Sequence, residues 1–185
     1  RIQFTPDVVP SDVTGFTMYD KQSGQFLYRP GAVMCNLLLA DEINRTSSKT
    51  QSALLEVMEE GRVTVDGETH TVPAPFVVIA TENPVGSSGT QLLPESQLDR
   101  FMISVSMGYP DHQSLVELLR DRQKVNPLEN AKTVLTREEV LNLQKKVQEV
   151  YVADAVLDYI AKLAEATREH ELITLGLSPR GTLAL

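Results

Sequence analysis

Two short apolar runs, Leu37-Leu38-Leu39-Ala40 and Phe76-Val77-Val78-Ile79-Ala80, interrupt the mixed pattern of the first hundred residues and stop abruptly at polar side chains. Unbroken runs of this length fit strands buried on both faces, as in a parallel sheet. Residues 1–6 predict a short first strand stopped by Pro6, and Met102 to Met107 predict a third strand after Leu98-Asp99-Arg100-Phe101. Between the apolar runs the period changes. Ala53, Leu54, Leu55, Val57 and Met58 recur at helical spacing behind Ser47 or Ser48, either of which can cap a helix that Gly61 ends. Alternation in Arg62–Val65 and Thr69–Val72 around Asp66-Gly67 predicts a tight hairpin. A second hairpin is expected from Phe16–Tyr19 and Gln25–Tyr28, separated by the turn-forming Asp20-Lys21-Gln22-Ser23-Gly24.

Beyond Tyr109-Pro110-Asp111 the pattern is helical to the end of the chain. Helices are expected at His112–Lys124, Arg137–Val150 and Ala153–Glu171, with a last one from Pro179 to Leu185. Thr136 with Glu139 fits a capping box. The expected division is therefore an α/β part over 1–109, carrying hairpins near 15–31 and 61–73, and an all-helical part over 110–185. The chain opens without Met and closes inside an expected helix, so it reads as a fragment of something longer.

Composition narrows the picture. A chain of 185 residues can build one core, or a core with a small appendage. Its net charge of -8 argues against a broad nucleic-acid footprint. No apolar run approaches the roughly 20 residues of a membrane span. Arg1-Ile2-Gln3-Phe4 shows no signal-peptide pattern. Cys35 is the single cysteine, which rules out an intrachain disulfide, and it reads as a small hydrophobe beside the first apolar run. His70, His112 and His170 are too widely spaced for a local metal motif and read as structural or surface residues.

The candidate chemistry sits where the apolar runs stop. Asp41 and Glu42 follow the first run, the position at which open α/β sheets present ligands. One carboxylate can hold a hard cation such as Mg²⁺ and the other can orient or deprotonate a water, which is the chemistry of nucleoside triphosphate hydrolysis. An acid at a strand end can equally cap the next helix. Asn83, after the second run, can position a water or touch a terminal phosphate, or serve as a turn residue before Pro84. Arg100 beside Asp99 reads either as a surface ion pair or as an arginine that stabilises a transferring phosphoryl group across a subunit boundary. Arg180, next to Pro179 in a helix's first turn, reads as solvated or as reaching phosphates from a helical lid.

Taken in order, Leu38-Leu39-Ala40-Asp41-Glu42-Ile43-Asn44-Arg45, Ala80-Thr81-Glu82-Asn83-Pro84, Leu98-Asp99-Arg100-Phe101 and Leu177-Ser178-Pro179-Arg180 resemble an AAA+ ATPase. Arg1–Asp7 with Pro10–Gly15, and Lys49–Leu55, resemble the MoxR family in particular, and the likeness runs over essentially all 185 residues. The resemblance implies an α/β fold with a P-loop-type parallel sheet core, incomplete at its N-terminus, followed by a small helical lid truncated at its C-terminus. It implies ATP and Mg as cofactors. Asp41 and Glu42 match the Walker B pair, with Mg at Asp41 and the attacking water at Glu42. Asn83 matches sensor 1, Arg100 the arginine finger and Arg180 sensor 2. Nucleotide contacts would then come from Asp41, Glu42, Asn83 and Arg180, and catalysis from Glu42, Asn83 and Arg100. The 15–31 and 61–73 hairpins match inserts that face a central pore in related motors.

One motif departs from the family pattern. None of the ten glycines is followed by Lys, so the phosphate-cradling loop G-x-x-x-x-G-K-[ST] is not in this sequence. The family order puts it upstream of Arg1, so truncation is expected, with the 185 residues alone close to inactive. The resemblance further implies a cytoplasmic, ring-forming (hexameric) ATPase that remodels or matures client proteins, among them metal- or cofactor-dependent enzymes. Two other readings are a non-hydrolytic scaffold that keeps the fold and a DNA-remodelling motor. Against the last, the first hairpin carries only Lys21 and Arg29 as bases, with Asp20 opposing them.

Overall fold

The computed structural model describes residues 1–83, 92–122 and 131–185. Its centre is a parallel three-stranded sheet in the order β1 (Ile2–Gln3), β4 (Leu37–Asp41), β7 (Val77–Ala80). Ile2 pairs with Ala40 on one side of β4, and Leu37 to Ala40 pair with Val77 to Ala80 on the other. This is the α/β sheet expected from the two apolar runs.

The connection from β4 to β7 shows how local sequence builds the layers. A 3-10 turn (Ile43–Arg45) leads to helix α2 (Ser48–Glu60), whose cap is Ser47: its Oγ accepts from the Thr50 N–H. Gly61 closes the helix with φ 64°, a left-handed conformation in which a side chain is disfavoured. Strands β5 (Arg62–Val65) and β6 (Glu68–Thr71) then form the hairpin predicted around Asp66-Gly67. Both turn residues have positive φ (51° and 84°), as the tight turn that matches strand twist requires.

Leu54, Leu55 and Val57 of α2 join Leu38 and Ala40 of β4 in one buried cluster with Phe4, Val13, Val33 and Ile43. The expected burial of the apolar strands on both faces holds on one face only. Leu38 and Ala40 are buried, whereas Leu37 is 60% and Ile79 52% exposed. Among the described residues the packing lies on the α2 side of β4 and β7.

Helix α1 (Pro10–Thr14) precedes the hairpin of β2 (Gly15–Asp20) and β3 (Gln25–Pro30), paired in register from Gly15↔Pro30 to Asp20↔Gln25. At its base Gly31 lies so close to the chain that a Cβ would sit 2.3 Å from both Gly15 N and Val13 O. The ring of Tyr28 stacks on His70 with centroids 3.7 Å apart, which ties this hairpin to β6. Tyr28 also donates to the Thr14 carbonyl.

The third strand expected at Met102–Met107 does not form: these residues have no regular structure, and Ile103, Val105 and Met107 are all more than 75% exposed. Alternating side chains are not sufficient for a strand. Its N–H and C=O groups need a ladder partner, and no described strand pairs with this segment. Cys35 is half-buried, not fully enclosed, and its thiol points to the Ala32 carbonyl.

From residue 110 on, the described elements are helical: α4 (His112–Arg122), α5 (Arg137–Gln148), α6 (Asp154–Glu169) and α7 (Pro179–Leu183), after the short α3 (Glu95–Leu98). The end expected for α4 at Lys124 lies outside the described residues, while α5, α6 and α7 stop two residues short of their expected ends. Thr136 and Glu139 form the predicted capping box of α5. Contacts group Arg1–Met102 with Val152–Leu185 as one compact unit and Ile103–Tyr151 as a second. In the first unit Ala164 of α6 is buried, and Arg168 of α6 reaches α7 through the Leu177 carbonyl and the Thr182 hydroxyl. No described helix is long and apolar enough to cross a membrane.

Candidate active site

The pairing of β4 with β7 ends at Ala40 and Ala80, which sets Asp41-Glu42 beside Thr81–Asn83 at the carboxyl edge of the sheet. Two backbone bonds extend the contact: Thr81 N–H donates to the Ala40 carbonyl (2.9 Å) and Ile43 N–H to the Thr81 carbonyl (3.0 Å). The Thr81 hydroxyl serves both acids. It donates to Asp41 Oδ1 at 2.6 Å and accepts from the Glu42 N–H at 2.9 Å.

Glu42 itself has φ 53° and ψ 50°. A non-glycine residue in this left-handed region carries a strain of about 1–3 kcal/mol, which surrounding contacts must offset. Those contacts are present. Glu42 Oε2 accepts from Gln3 Nε2 and from the Arg45 guanidinium, each at 2.9 Å, and Oε1 accepts from Asn83 Nδ2 at 3.4 Å. Arg1 pairs with Asp41. Asn83 is in turn held through its backbone by the amide of Asn44, which is buried.

Both carboxyl groups titrate below their ordinary values. For Asp41 the first cause is the Thr81 hydroxyl, followed by Arg1; for Glu42 it is the Arg45 guanidinium, followed by the Asn83 amide. The site thus holds two adjacent ionised carboxylates. Among the described residues there is no group of three or more His, Cys, Asp or Glu that could cage a metal. A pair of carboxylates suits Mg²⁺, which keeps several waters and is commonly bound by one or two carboxylates together with substrate phosphates.

The structure therefore brings three of the five sequence-predicted residues together: Asp41, Glu42 and Asn83. The other two form a separate cluster. Arg100 Nη1 lies 3.0 Å from Glu59 Oε2 and Arg180 Nη2 2.6 Å from Glu59 Oε1, with Arg180 Nη1 3.6 Å from Asp99 Oδ2. Sequence reasoning had not singled out Thr81, Asn44, Arg45, Gln3 or Glu59 for a role. Gln3, Asn44, Arg45 and Thr81 lie inside the motif stretches, so their positions carried a signal. Glu59 carried none, being one of two acids at the end of an amphipathic helix.

Comparison with known proteins identifies the family of the chain. Residues 1–103 match the ATPase family associated with various cellular activities (AAA). Along its whole length the chain is 51% identical to the uncharacterized protein YeaC of Bacillus subtilis, covering 58% of that protein. It is 41% identical to the chaperone MoxR1 of Mycobacterium tuberculosis, again over the whole chain and 51% of the relative. A crystal structure assigned as an ATPase from Cytophaga hutchinsonii superposes with a TM-score of 0.85 at 38% identity, over 99% of this chain and 58% of that one. The chain spans about half the length of the curated relatives it matches.

Proposed function

This chain belongs to the AAA family of ATPases and is of the MoxR type, and from that premise we propose that it works as part of an ATP-hydrolysing, chaperone-like motor that remodels or matures client proteins. The observation that carries the proposal is the cluster at the sheet edge, where Asp41 is held in ionised form by Thr81 and Arg1, and Glu42 by Arg45 and Asn83.

In this reading Asp41, with Glu42 beside it, holds Mg²⁺, which supplies charge neutralisation at the ATP phosphates when bound. Glu42 is the general base: one of its carboxylate oxygens orients the attacking water and takes its proton. Asn83 donates to that carboxylate and fixes its direction, at 3.4 Å in this structure. Holding a strained residue in a web of bonds from Gln3, Arg45 and Asn83 pre-sets the base before substrate arrives. Arg100 stabilises phosphoryl charge at the site of a neighbouring subunit in a hexameric ring, and Arg180, carried by the helical lid part, residues 110–185, reaches phosphate at that same site. The two hairpins contact the client at the pore. The exposed Tyr19–Phe26 pair on the first of them offers an apolar grip for an unfolded segment. The setting is cytoplasmic. The 185 residues on their own bind ATP weakly and scarcely hydrolyse it, since no glycine here precedes a lysine.

The test is Glu42→Gln in the full-length protein. ATP should still bind, while turnover drops by about 100-fold or more, the range of a lost general base. Turnover at the unsubstituted rate would remove Glu42 from this role.

A further inference from the structure

The Arg100–Glu59–Arg180 cluster is a second construction in the same compact unit, and its cost shows that it is built. Glu59 stands in the last turn of α2, where the helix already presents partial negative charge and an acid is disfavoured. Arg100 and Arg180 are like charges from segments far apart in the chain, one following α3 and the other in α7. Glu59 resolves both problems by giving one oxygen to each guanidinium. Asp99 completes the frame: its Oδ2 faces Arg180 Nη1, and its Oδ1 accepts from the hydroxyl of Ser178. That same hydroxyl caps α7 by accepting from Gly181 N–H at 2.9 Å. Each arginine still has donors to spare. The Arg100 side chain is 33% and that of Arg180 45% exposed, and both line one cleft with Phe101, Leu177 and Gly181.

We infer that Glu59 is a positioning residue that holds Arg100 and Arg180 side by side, so that the two guanidiniums engage one phosphate group as a pair. The inference rests on the proposed roles of the two arginines and adds the residue that makes them a unit. A guanidinium fork binds phosphate through paired N–H groups, and a displacement of about 1 Å lowers a rate by up to about 100-fold. Without Glu59 the two cations repel, and each long side chain regains its rotamers.

The experiment compares kcat, KM for ATP and thermal midpoint in the full-length protein for Glu59→Gln, Arg100→Ala, Arg180→Ala and the double variant Glu59→Gln with Arg100→Ala. Glu59 is 43% exposed and Gln is isosteric, so the fold should tolerate the change. Glu59→Gln should lower kcat by about 10- to 100-fold with KM and thermal midpoint nearly unchanged. In the double variant it should add little to Arg100→Ala, because its effect runs through that arginine. Impaired Arg100→Ala beside normal Glu59→Gln would overturn this inference alone, as would fully additive losses in the double variant. Normal turnover in Arg100→Ala would overturn the arginine assignment and the inference with it.

Discussion

Asn44 and Asn83 hold each other through a closed pair of hydrogen bonds. The buried Asn44 amide accepts from the Asn83 N–H at 3.2 Å and donates to the Asn83 carbonyl at 3.1 Å. The loop after β7 is thereby fastened to the turn after β4, and the Asn83 side chain is left to reach Glu42.

Asn44→Ala should therefore do two things. It removes the two hydrogen bonds that the buried Asn44 amide makes to the Asn83 backbone, at a cost of about 1–3 kcal/mol. In the full-length protein it should also slow ATP hydrolysis, because Asn83 loses its anchor. Chemical denaturation of this chain and steady-state turnover measure the two effects, and wild-type values in both would dismiss the anchor.

The acid response of the site follows from its hydrogen bonds. Asp41 and Glu42 have folded pKa values below their unfolded ones, so they contribute stability above the unfolded carboxylate range. That contribution is lost as pH falls through the folded values. Thr81→Val removes the first cause acting on Asp41 and should raise its pKa, and Arg45→Ala should do the same for Glu42. Carboxyl carbon shifts followed by NMR titration would show it; titration curves that do not move would contradict the assigned causes.

Gly31→Ala should destabilise the base of the first hairpin by about 1–3 kcal/mol or more. The added methyl would meet Gly15 N and Val13 O, backbone atoms that cannot swing aside as a side chain can. Gly67→Ala is the control with open space around its Cβ, where only the left-handed backbone (φ 84°) opposes the change. Thermal unfolding should rank Gly31→Ala as the more severe, and the reverse order would refute the packing argument.

If Arg100 serves a neighbouring subunit, Arg100→Ala and Glu42→Gln damage different parts of a shared site. Rings assembled from a mixture of the two variants should regain some ATPase activity, since a fraction of interfaces then carries both intact residues. Mixed rings that assemble and stay inactive would argue for an arginine acting within its own subunit.

Some features were legible because their causes are local. Ser47 and Gly61 bracket α2 through one side-chain bond and one left-handed φ, and Asp66-Gly67 specifies a turn between alternating residues. Thr136 and Glu139 cap α5 within a single turn. The run Leu37–Ala40 announced a strand, and the acids after it marked a candidate site. Where expectation failed, the cause was a partner distant in sequence. Met102–Met107 has the alternation of a strand, yet a strand exists only where another offers its edge. Leu37 and Ile79 are as apolar as Leu38, yet burial depends on what covers each face.

By itself the sequence determined the parallel-sheet core, the two hairpins and the order of the helices, and it marked Asp41, Glu42, Asn83, Arg100 and Arg180 as the candidate set. These rest on periodicity, capping and motif, all of which are written within a few neighbouring positions. Tertiary structure decided how that set divides: Asp41, Glu42 and Asn83 meet at the sheet edge, fastened by Thr81 and Asn44, while Arg100 and Arg180 converge on Glu59. The reason is physical. Hydrogen bonds and ion pairs act over a few ångströms, and only the folded chain brings residues 42 and 83, or 59 and 180, within that reach.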